Sequence, residues 1–452
     1  MKLAIIGAGG VRTPLIVKEC YKKAESLNLT ELALMDIDDL HLRQIELVTQ
    51  SILDEEPRNL KRTITTDPIQ ALEGADYVIT TFRVGGIEAR VIDERLPLSQ
   101  DVLGQETTGA GGFAMGLRSI PVLLGYIDLM RLYCPNAWLI NFANPSGMMA
   151  EAAISAGKWD KTVGICDAPT EVQRVVSKFL NIPENDIYLD YFGLNHLGWT
   201  RQIRVHGQDI LPGLIDNLEQ LPIKDLLPFS IELIKSLKMI PNEYLYYYYY
   251  SRQSVQNILR NKYTRGEEIL FANKALFADL ATFLNSPEML KDRYTKYLET
   301  RRSHYMENET GKAVIDTNES ITLELQGGYA DVALRLIRSL EKGEKQVHIV
   351  NTVNRGAITG LPKDCVVEVP CMVGKDLIQP CNVGEIPLHC LGLIARVKSY
   401  EQLTIQAAVE GSESKAIEAL TLHPLVADEK IASSLVKGFK KEFGKDFLTG
   451  IK

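Results

Sequence analysis

A glycine-rich turn near the N-terminus has the composition of a nucleotide-binding loop. Residues 7–12 read Gly-Ala-Gly-Gly-Val-Arg, directly after the apolar run Lys2–Ile6 and before a segment that starts a helix. Glycines let a pyrophosphate approach free N–H groups at the positive end of the helix dipole. Asp36 ends the second apolar run, where a carboxylate can accept hydrogen bonds from an adenosine ribose. With a tight turn and no nucleotide as the alternative, the pattern predicts NAD binding through Gly7, Gly9, Gly10 and Asp36.

Two side chains that could ligate a metal follow separate apolar runs. Cys166 ends the run Thr162–Cys166, and His196 lies in the turn-forming segment Gly193-Leu194-Asn195-His196. A thiolate and a neutral imidazole are a feasible ligand pair, and two ligands would leave positions free for substrate oxygens. Taken singly, each residue is more often a buried cysteine or an ordinary polar histidine. The metal interpretation therefore depends on both side chains facing one cleft.

Two further polar segments could contribute to a site, and one aromatic run has a different expected role. The stretch Gly104-Gln105-Glu106-Thr107-Thr108-Gly109-Ala110-Gly111-Gly112 is predicted to be a loop that moves or closes on a ligand. Asn144 precedes Pro145 at a strand end, which holds its backbone extended so that its amide can point into a cleft. The consecutive tyrosines of residues 246–250 cannot all face one way, and we expect most of them in the core or in a subunit interface.

The elements that would position these residues alternate between short apolar runs and amphipathic segments, as in a parallel sheet with crossover helices. Ligands collect at the carboxyl ends of the strands in such a sheet. We predict an α/β fold, with a Rossmann-type domain over residues 1–165 and a mixed α+β domain over residues 166–452. The predicted strands are Lys2–Ile6, Leu32–Asp36, Tyr77–Thr81, Trp138–Phe142, Thr162–Cys166, Val347–Asn351 and Val366–Val369, and the tail from Tyr400 is predicted to be helical.

Composition and charge exclude several classes of protein. The 452 residues are 45% hydrophobic and 24% charged, the balance of a globular protein and not of a disordered one. A net charge of −8 argues against broad binding to nucleic acid. The longest apolar runs are interrupted and too short for a membrane span. Seven cysteines without CxxC spacing suit a reducing compartment, and the first apolar stretch is too short for export. We expect a cytoplasmic protein with no nucleic-acid or membrane partner.

Five motifs follow one another along the chain: Gly7-Ala8-Gly9-Gly10-Val11-Arg12, Gly104-Gln105-Glu106-Thr107-Thr108-Gly109, Asn144-Pro145-Ser146-Gly147, Cys166-Asp167-Ala168-Pro169 and Gly193-Leu194-Asn195-His196. In this order they resemble the motifs of the family-4 glycoside hydrolases, the NAD- and metal-dependent 6-phosphoglycosidases. This family is an exception to glycoside hydrolysis by two carboxylates. The resemblance covers nearly the whole chain and implies a fold shared with lactate and malate dehydrogenases.

The resemblance implies roles in catalysis for five residues. Cys166 and His196 match the manganese ligands, although other divalent metals are possible because a thiolate is an unusual partner for manganese. Tyr244 matches the catalytic base, with Tyr246 as the alternative if the alignment slips by two. Asp167 matches the acid of the α-acting members, and Glu106 matches a residue that tunes the tyrosine.

The resemblance also implies the substrate. Arg90, Asn144 and Arg265 match positions that bind a phosphorylated sugar, and two guanidiniums would form a local cationic pocket in an acidic protein. The partner is then a phosphorylated disaccharide or an aryl glucoside. A homodimer or homotetramer is the expected assembly.

The implied reaction is hydrolysis of 6-phospho-β-glucosides, such as cellobiose 6-phosphate, to glucose 6-phosphate. It proceeds by NAD-mediated oxidation at C3, elimination of the C1 oxygen, addition of water and re-reduction. The sequences of residues 109–121 and of Asp190-Tyr191-Phe192 favour the β-acting members of the family, whereas Asp167 fits the α-acting ones. A 6-phospho-α-glucosidase, a galactosidase or a galacturonidase remains an alternative inside the family, and a 2-hydroxyacid dehydrogenase is the alternative from another class.

Overall fold

The N-terminal part of the chain folds as a parallel sheet with helical crossovers. The computed structural model describes residues 1–53, 60–220, 227–303, 306–311, 328–444 and 447–451. Strand order across this part is β3-β2-β1-β4-β5-β6, the doubly wound order of a Rossmann-type sheet, and all its neighbouring pairs are parallel. The strands are β1 (Lys2–Ile6), β2 (Glu31–Met35), β3 (Lys61–Thr65), β4 (Tyr77–Thr80), β5 (Trp138–Asn141) and β6 (Thr162–Gly164).

Apolar side chains on both faces bury the central strands, which is why they read as continuous apolar runs in the sequence. The helices between them pack these faces into the largest core cluster. They are α1 (Thr13–Leu27), α2 (Asp39–Ile52), α3 (Pro68–Leu72), α4 (Gly86–Leu98), α5 (Gly109–Tyr133) and α6 (Ser146–Ser155).

The sheet continues into the C-terminal part of the chain as antiparallel strands. One residue pair joins β11 to β6, Asn351 opposite Gly164, and one joins β12 to β7, Glu368 opposite Gly193. Strands β7 and β8 form a long hairpin whose turn contains His196. The strands of this part are β7 (Ile187–Leu194), β8 (Leu197–Val205), β9 (Gln208–Asp209), β10 (Ile240–Pro241), β11 (Gln346–Val353), β12 (Val366–Gly374) and β13 (Leu377–Pro380).

Helices make up most of the remaining described chain and pack against this sheet and against α4 and α5. They are α7 (Ala168–Leu180), α8 (Leu211–Asp216), α9 (Ile231–Leu237), α10 (Tyr246–Tyr249), α11 (Ser251–Arg260), α12 (Arg265–Thr282), α13 (Pro287–Ser303), α14 (Glu307–Thr310), α15 (Gly328–Lys342), α16 (Leu388–Glu410), α17 (Glu413–Leu422) and α18 (Glu429–Phe443).

The strands predicted for the parallel part all form, with ends shifted by at most two residues. Asp36 and Cys166 lie just beyond the ends of β2 and β6, in the loops at the carboxyl edge of the sheet. The two late strands and the helical tail are also confirmed, although β12 is longer than predicted. Strand β3 was not predicted, because its sequence Lys-Arg-Thr-Ile-Thr is polar and it lies at the edge of the sheet.

The prediction of a loop for all of residues 104–112 is wrong for residues 109–112, which form the first turn of α5. The glycines serve close packing here. A Cβ at Gly111 would lie 2.1 Å from the carbonyl oxygen of Gln105, so only glycine lets the preceding segment fold back over the helix. The stretch is therefore a tightly packed turn and helix start.

Helix α5 is also the only helix in the described ranges that is long and apolar enough to cross a membrane. Most of its residues are buried within the protein, as expected for a central core helix.

Candidate active site

The glycine-rich loop follows β1 and closes against the end of β2. The backbone N–H groups of Gly7 and Ala8 both donate to the carbonyl of Met35 at 2.9 Å. The next N–H of the loop, on Gly9, donates to Asp36 Oδ2 at 2.8 Å, and a Cβ at Gly9 would lie 2.9 Å from that oxygen. The predicted nucleotide residues are thus brought together. The loop leads into α1, whose N-terminal dipole suits a pyrophosphate.

Cys166 and His196 meet at the same edge of the sheet. Cys166 Sγ lies 3.5 Å from His196 Nε2, and the two residues are only 3% and 5% exposed. His196 is at the tip of the β7–β8 hairpin with a left-handed backbone, φ 61°, which turns its ring towards the end of β6. Two ligands of one zinc ion, at about 2.3 Å to sulfur and 2.1 Å to nitrogen, are about 3.1 to 3.6 Å apart. The observed pair fits that spacing.

Protonation at this pair follows from its burial. Burial lowers the pKa of His196 to about 3, so its imidazole is neutral and keeps a lone pair for a cation. Burial, with Asp167 and Glu368 nearby, raises the pKa of the Cys166 thiol well above its ordinary value. A bound cation reverses that preference, because metal ligation requires the thiolate. Among the described residues no three His, Cys, Asp or Glu side chains form a metal-binding group.

Tyr244 stacks on the histidine of this pair. It lies in a single 3-10 turn, Glu243–Leu245, which Asn242 caps by accepting the backbone N–H of Tyr244 at 3.0 Å. The rings of Tyr244 and His196 are 3.7 Å apart and inclined by 3°. Tyr246, the alternative, instead stacks on Tyr250 at 4.7 Å. Of the two tyrosines, the structure brings Tyr244 to His196. The cation corner is the name used below for Cys166, His196, Tyr244 and Thr107, whose hydroxyl lies 3.1 Å from His196 Nδ1.

Asp167 follows Cys166 at the start of α7. Its Oδ1 is 3.8 Å from Cys166 Sγ. Burial raises the pKa of the Asp167 carboxyl, and the guanidiniums of Arg12 and Arg174 oppose that rise. A carboxyl with a raised pKa beside the cation corner is suited to proton donation.

Glu106 and Arg90 are paired with one another. Glu106 Oε2 lies 2.9 Å from Arg90 Nη1 and also accepts a hydrogen bond from Arg83. Burial favours the neutral acid, but the Arg83 and Arg90 charges outweigh it and lower the pKa of Glu106 to about 2. Glu106 is therefore ionised at neutral pH. Arg90 is 5% exposed and forms a second ion pair, from Nε to Glu94 Oε1 at 2.7 Å.

Glu94 links Arg90 to the helix that carries Arg265. Its other oxygen accepts the backbone N–H of Gly266 at 2.7 Å, in the first turn of α12. A capping box formed by Thr264 and Glu267 fixes the start of this helix. Arg265, its first residue, donates to Glu268 and to the carbonyl of Arg301. Burial and the neighbouring Arg90 charge lower the pKa of Arg265.

Asn144 lies in the loop between β5 and α6, next to the loop that carries Cys166. Strands β5 and β6 are parallel neighbours, so the two loops share one edge of the sheet. The loops are tied to the β7–β8 hairpin by Asn195, whose Oδ1 accepts the backbone N–H of Ser146 at 3.1 Å and whose Nδ2 donates to Glu368. Cys166, Asp167 and Asn144 lie at this edge, His196 contacts Cys166, and Tyr244 stacks on His196. Glu106, which is ion-paired with Arg90, directly precedes Thr107, and the Thr107 hydroxyl contacts His196 Nδ1.

Sequence reasoning gave no role to Arg83, Glu94 or Thr107. Arg83 lies after β4 and Thr107 lies in the glycine-rich segment, but neither has a spacing that reveals its partner. Glu94 could have been found from its position four residues after Arg90, which places both side chains on one face of a helix.

Family models cover most of the chain. Residues 2–182 match the model described as family 4 glycosyl hydrolase, and residues 191–426 match the family 4 glycosyl hydrolase C-terminal domain. The 6-phospho-beta-glucosidase BglT of Thermotoga maritima is 32% identical, with 97% of each chain covered. The 6-phospho-beta-glucosidase of Escherichia coli is 31% identical, covering 97% of this chain and 94% of the relative.

The fold of this chain is similar to solved structures over nearly its full length. A Thermotoga maritima 6-phospho-beta glucosidase structure with manganese, NAD+ and glucose-6-phosphate has a TM-score of 0.81 at 31% identity, with 98% of each chain covered. A 6-phospho-alpha-glucosidase from gut microorganisms, in complex with NAD and Mn2+, also has a TM-score of 0.81, at 29% identity over 100% of this chain and 99% of that one. A lactate dehydrogenase from a deep-sea metagenome library has a TM-score of 0.54 at 12% identity over 90% of this chain and 98% of that one, which shows the shared fold alone.

Proposed function

The chain belongs to the family 4 glycosyl hydrolases, and from this premise we propose that it hydrolyses 6-phospho-β-glucosides, such as cellobiose 6-phosphate, to glucose 6-phosphate. The observation that supports this most is the approach of Cys166 Sγ to His196 Nε2, 3.5 Å, at the carboxyl edge of a Rossmann-type sheet. Relatives with the β-acting name are 31 or 32% identical to this chain, and the compared relatives with an α-acting or maltose-phosphate name are 28 or 29% identical.

We propose that the chain consists of two domains. Residues 1–165 would hold NAD, through the backbone of the loop at Gly7, Gly9 and Gly10 and through the Asp36 carboxylate. Residues 166–452 would supply the metal ligands Cys166 and His196. The relatives whose structures contain manganese make Mn2+ the first cation to test.

Bound NAD would accept a hydride from C3 of the sugar and return it in the same turnover, and the cation would act as a Lewis acid towards the sugar oxygens. Tyr244 would remove the proton at C2. Its stack on His196 holds the phenol beside the ring that faces the cation. Glu106, ionised because Arg83 and Arg90 surround it, would raise the basicity of a tyrosinate through its negative charge.

Arg90 and Arg265 would bind the 6-phosphate, and Asn144 would contact the sugar. The Glu94 carboxylate holds Arg90 by a 2.7 Å ion pair and the first turn of the Arg265 helix by a 2.7 Å hydrogen bond, so the two cations are positioned by the same group. A guanidinium can bind phosphate through two parallel hydrogen bonds. The acceptable substrates are then phosphorylated disaccharides or aryl glucosides.

A 6-phospho-α-glucosidase is the second candidate, and Asp167 is the observation that favours it. An acid at this position matches the α-acting members, and its carboxyl has the raised pKa that a proton donor needs. Because elimination through C2 needs no backside nucleophile, one site can serve either anomer.

We also propose a cytoplasmic location and a homodimer or homotetramer. All seven cysteines are free, which suits a reducing compartment. Tyr248, Tyr249 and Tyr250 are half-buried and form a candidate subunit interface.

The test is a panel of p-nitrophenyl 6-phosphoglycosides, α and β, assayed with NAD, Mn2+ and a thiol reductant. We expect release of nitrophenol from the β-glucoside, no net NADH, and solvent deuterium at C2 of the product. Release from the α-glucoside alone would establish the second candidate. Steady accumulation of NADH with a 2-hydroxy acid would instead identify a dehydrogenase.

A further inference from the structure

Gln105 accepts three hydrogen bonds in the turn that precedes α5. Its side-chain oxygen accepts the backbone N–H groups of Thr107 and Thr108 at 2.7 and 2.8 Å, and the hydroxyl of Thr107 at 3.0 Å. All three residues are buried. Two backbone N–H groups facing one atom identify that atom as the amide oxygen, because the amide nitrogen is itself a donor.

The Thr107 hydroxyl has one proton and gives it to Gln105. Its oxygen is also 3.1 Å from His196 Nδ1. With its proton committed, the hydroxyl can only accept a hydrogen bond from the imidazole. His196 Nδ1 is therefore the protonated nitrogen of the neutral ring.

The proton on Nδ1 leaves the lone pair on Nε2, the nitrogen 3.5 Å from Cys166 Sγ. The stack with Tyr244 fixes the plane of the ring but is indifferent to which nitrogen carries the proton. The choice of tautomer needs a hydrogen-bond partner at one nitrogen, and Thr107 supplies it.

We propose that Thr107, oriented by Gln105, is a positioning residue that holds His196 in its Nδ1–H tautomer and so presents Nε2 to the divalent cation. The cation itself rests on the function proposed above, whereas the tautomer can be measured in the metal-free protein. A hydroxyl whose own proton is already committed sets the direction of the bond as firmly as a carbonyl would.

The experiment compares the full chain with Thr107→Val, which removes the hydroxyl at nearly constant volume, and Thr107→Ser, which restores it. Thr108→Val is the matched control, since Thr108 reaches Gln105 through its backbone N–H. Nitrogen NMR of protein labelled with [15N]histidine reports the tautomer without metal, and His196→Gln identifies the signals of His196. Loss of the free Mn2+ EPR signal, in the presence of NAD, reports metal affinity.

We expect Nδ1–H in the wild type, Thr107→Ser and Thr108→Val, and a population of Nε2–H in Thr107→Val. Mn2+ affinity should fall about 10- to 100-fold in Thr107→Val and remain near the wild-type value in the other two. A wild-type His196 protonated at Nε2 overturns the inference, and that measurement needs no variant to fold. Thr107→Val with an unchanged tautomer and unchanged Mn2+ affinity also overturns it. If the wild type binds no Mn2+, the proposed function fails and the tautomer alone decides this inference.

Discussion

The loop of residues 7–12 is held mainly by backbone hydrogen bonds, within the loop and to the end of β2, whereas the cation corner consists of side chains from four separate segments. In the loop, N–H groups and carbonyls make most of the contacts. Two side chains also reach it: Asp36 accepts the N–H of Gly9, and the Tyr294 hydroxyl donates to the carbonyl of Val11. In the cation corner every contact ends on a side-chain atom. A backbone site tolerates changes of side chain that spare its glycines. A site made of side chains depends on single atoms.

The largest effect should come from removing one of those atoms. Cys166→Ser replaces the soft sulfur ligand, and loss of the Lewis acid should lower Mn2+-dependent kcat/KM by at least about a thousandfold. NAD affinity should not change, because Cys166 lies outside the loop. Activity and NAD titrations of the variant measure both quantities. The control is Cys381→Ser, which alters a half-buried cysteine of the other half of the sheet. Full activity in Cys166→Ser would contradict the role given to this thiol.

Glu106→Gln should show how much the ion pairs of Glu106 with Arg83 and Arg90 stabilise the folded protein. The ordinary pKa of 4.5 falls to about 2 in the folded protein, so the stabilisation from this carboxylate is complete above about pH 4.5 and lost as the pH falls through about 2. The variant should be less stable than the wild type by about 3 kcal/mol at neutral pH. Urea unfolding at a series of pH values checks this. The difference should shrink as the pH drops towards 2, and a difference that does not vary with pH would contradict the electrostatic explanation.

Gly9→Ala should damage the loop and spare the cation corner. The new Cβ would lie 2.9 Å from Asp36 Oδ2 and displace the carboxylate from the Gly9 N–H. The displaced Asp36 carboxylate would then lose its proposed hydrogen bond to NAD. Loss of a hydrogen bond to a charged group should weaken NAD binding by about 10- to 100-fold, which calorimetry can measure. Mn2+ binding should be retained. Gly125→Ala is the control, because a Cβ there meets nothing within 4 Å. Equal NAD affinity in the two variants would show that the loop does not bind the cofactor as proposed.

Arg265→Lys should have the smallest effect. Lysine keeps the charge and loses the planar fork, so KM for a phosphorylated glucoside should rise by about tenfold with little change in kcat. Steady-state kinetics on phosphorylated and unphosphorylated substrates separate the two terms. Arg260→Lys alters an exposed arginine one helix earlier and should leave both unchanged. An unchanged KM in Arg265→Lys would remove this residue from the phosphate pocket.

The two regions also differ in what the sequence reveals. Central strands such as β1 and β4 were predictable because both of their faces are buried, and the glycine loop follows β1 directly. The polar edge strand β3 gave no apolar pattern to detect. The glycines of residues 109–112 were misread as loop, because a glycine needed for close packing looks the same in sequence as one needed for a turn.

The approach of Cys166 to His196 could not be predicted from periodicity. Helix α7 and strand β7 separate them in the chain, and only the hydrogen-bonded sheet places their loops side by side. The residue types suggested the pair, the family resemblance implied its role as manganese ligands, and the structure gives the distance between the two side chains. Thr107 illustrates the remainder, because a threonine has no sequence signature that indicates which histidine it orients.

Glu94 has a consequence for redesign of the sugar pocket. A mutant library that seeks activity on a neutral sugar would first replace the cations, yet removing Arg90 alone strands a buried carboxylate without its partner, a change that commonly costs about 3 to 5 kcal/mol. Position 94 must therefore be changed together with the arginines. A library of single substitutions will lose the arginine variants because they unfold. Because Glu94 positions both Arg90 and the Arg265 helix, a change of substrate class requires simultaneous substitutions at several positions.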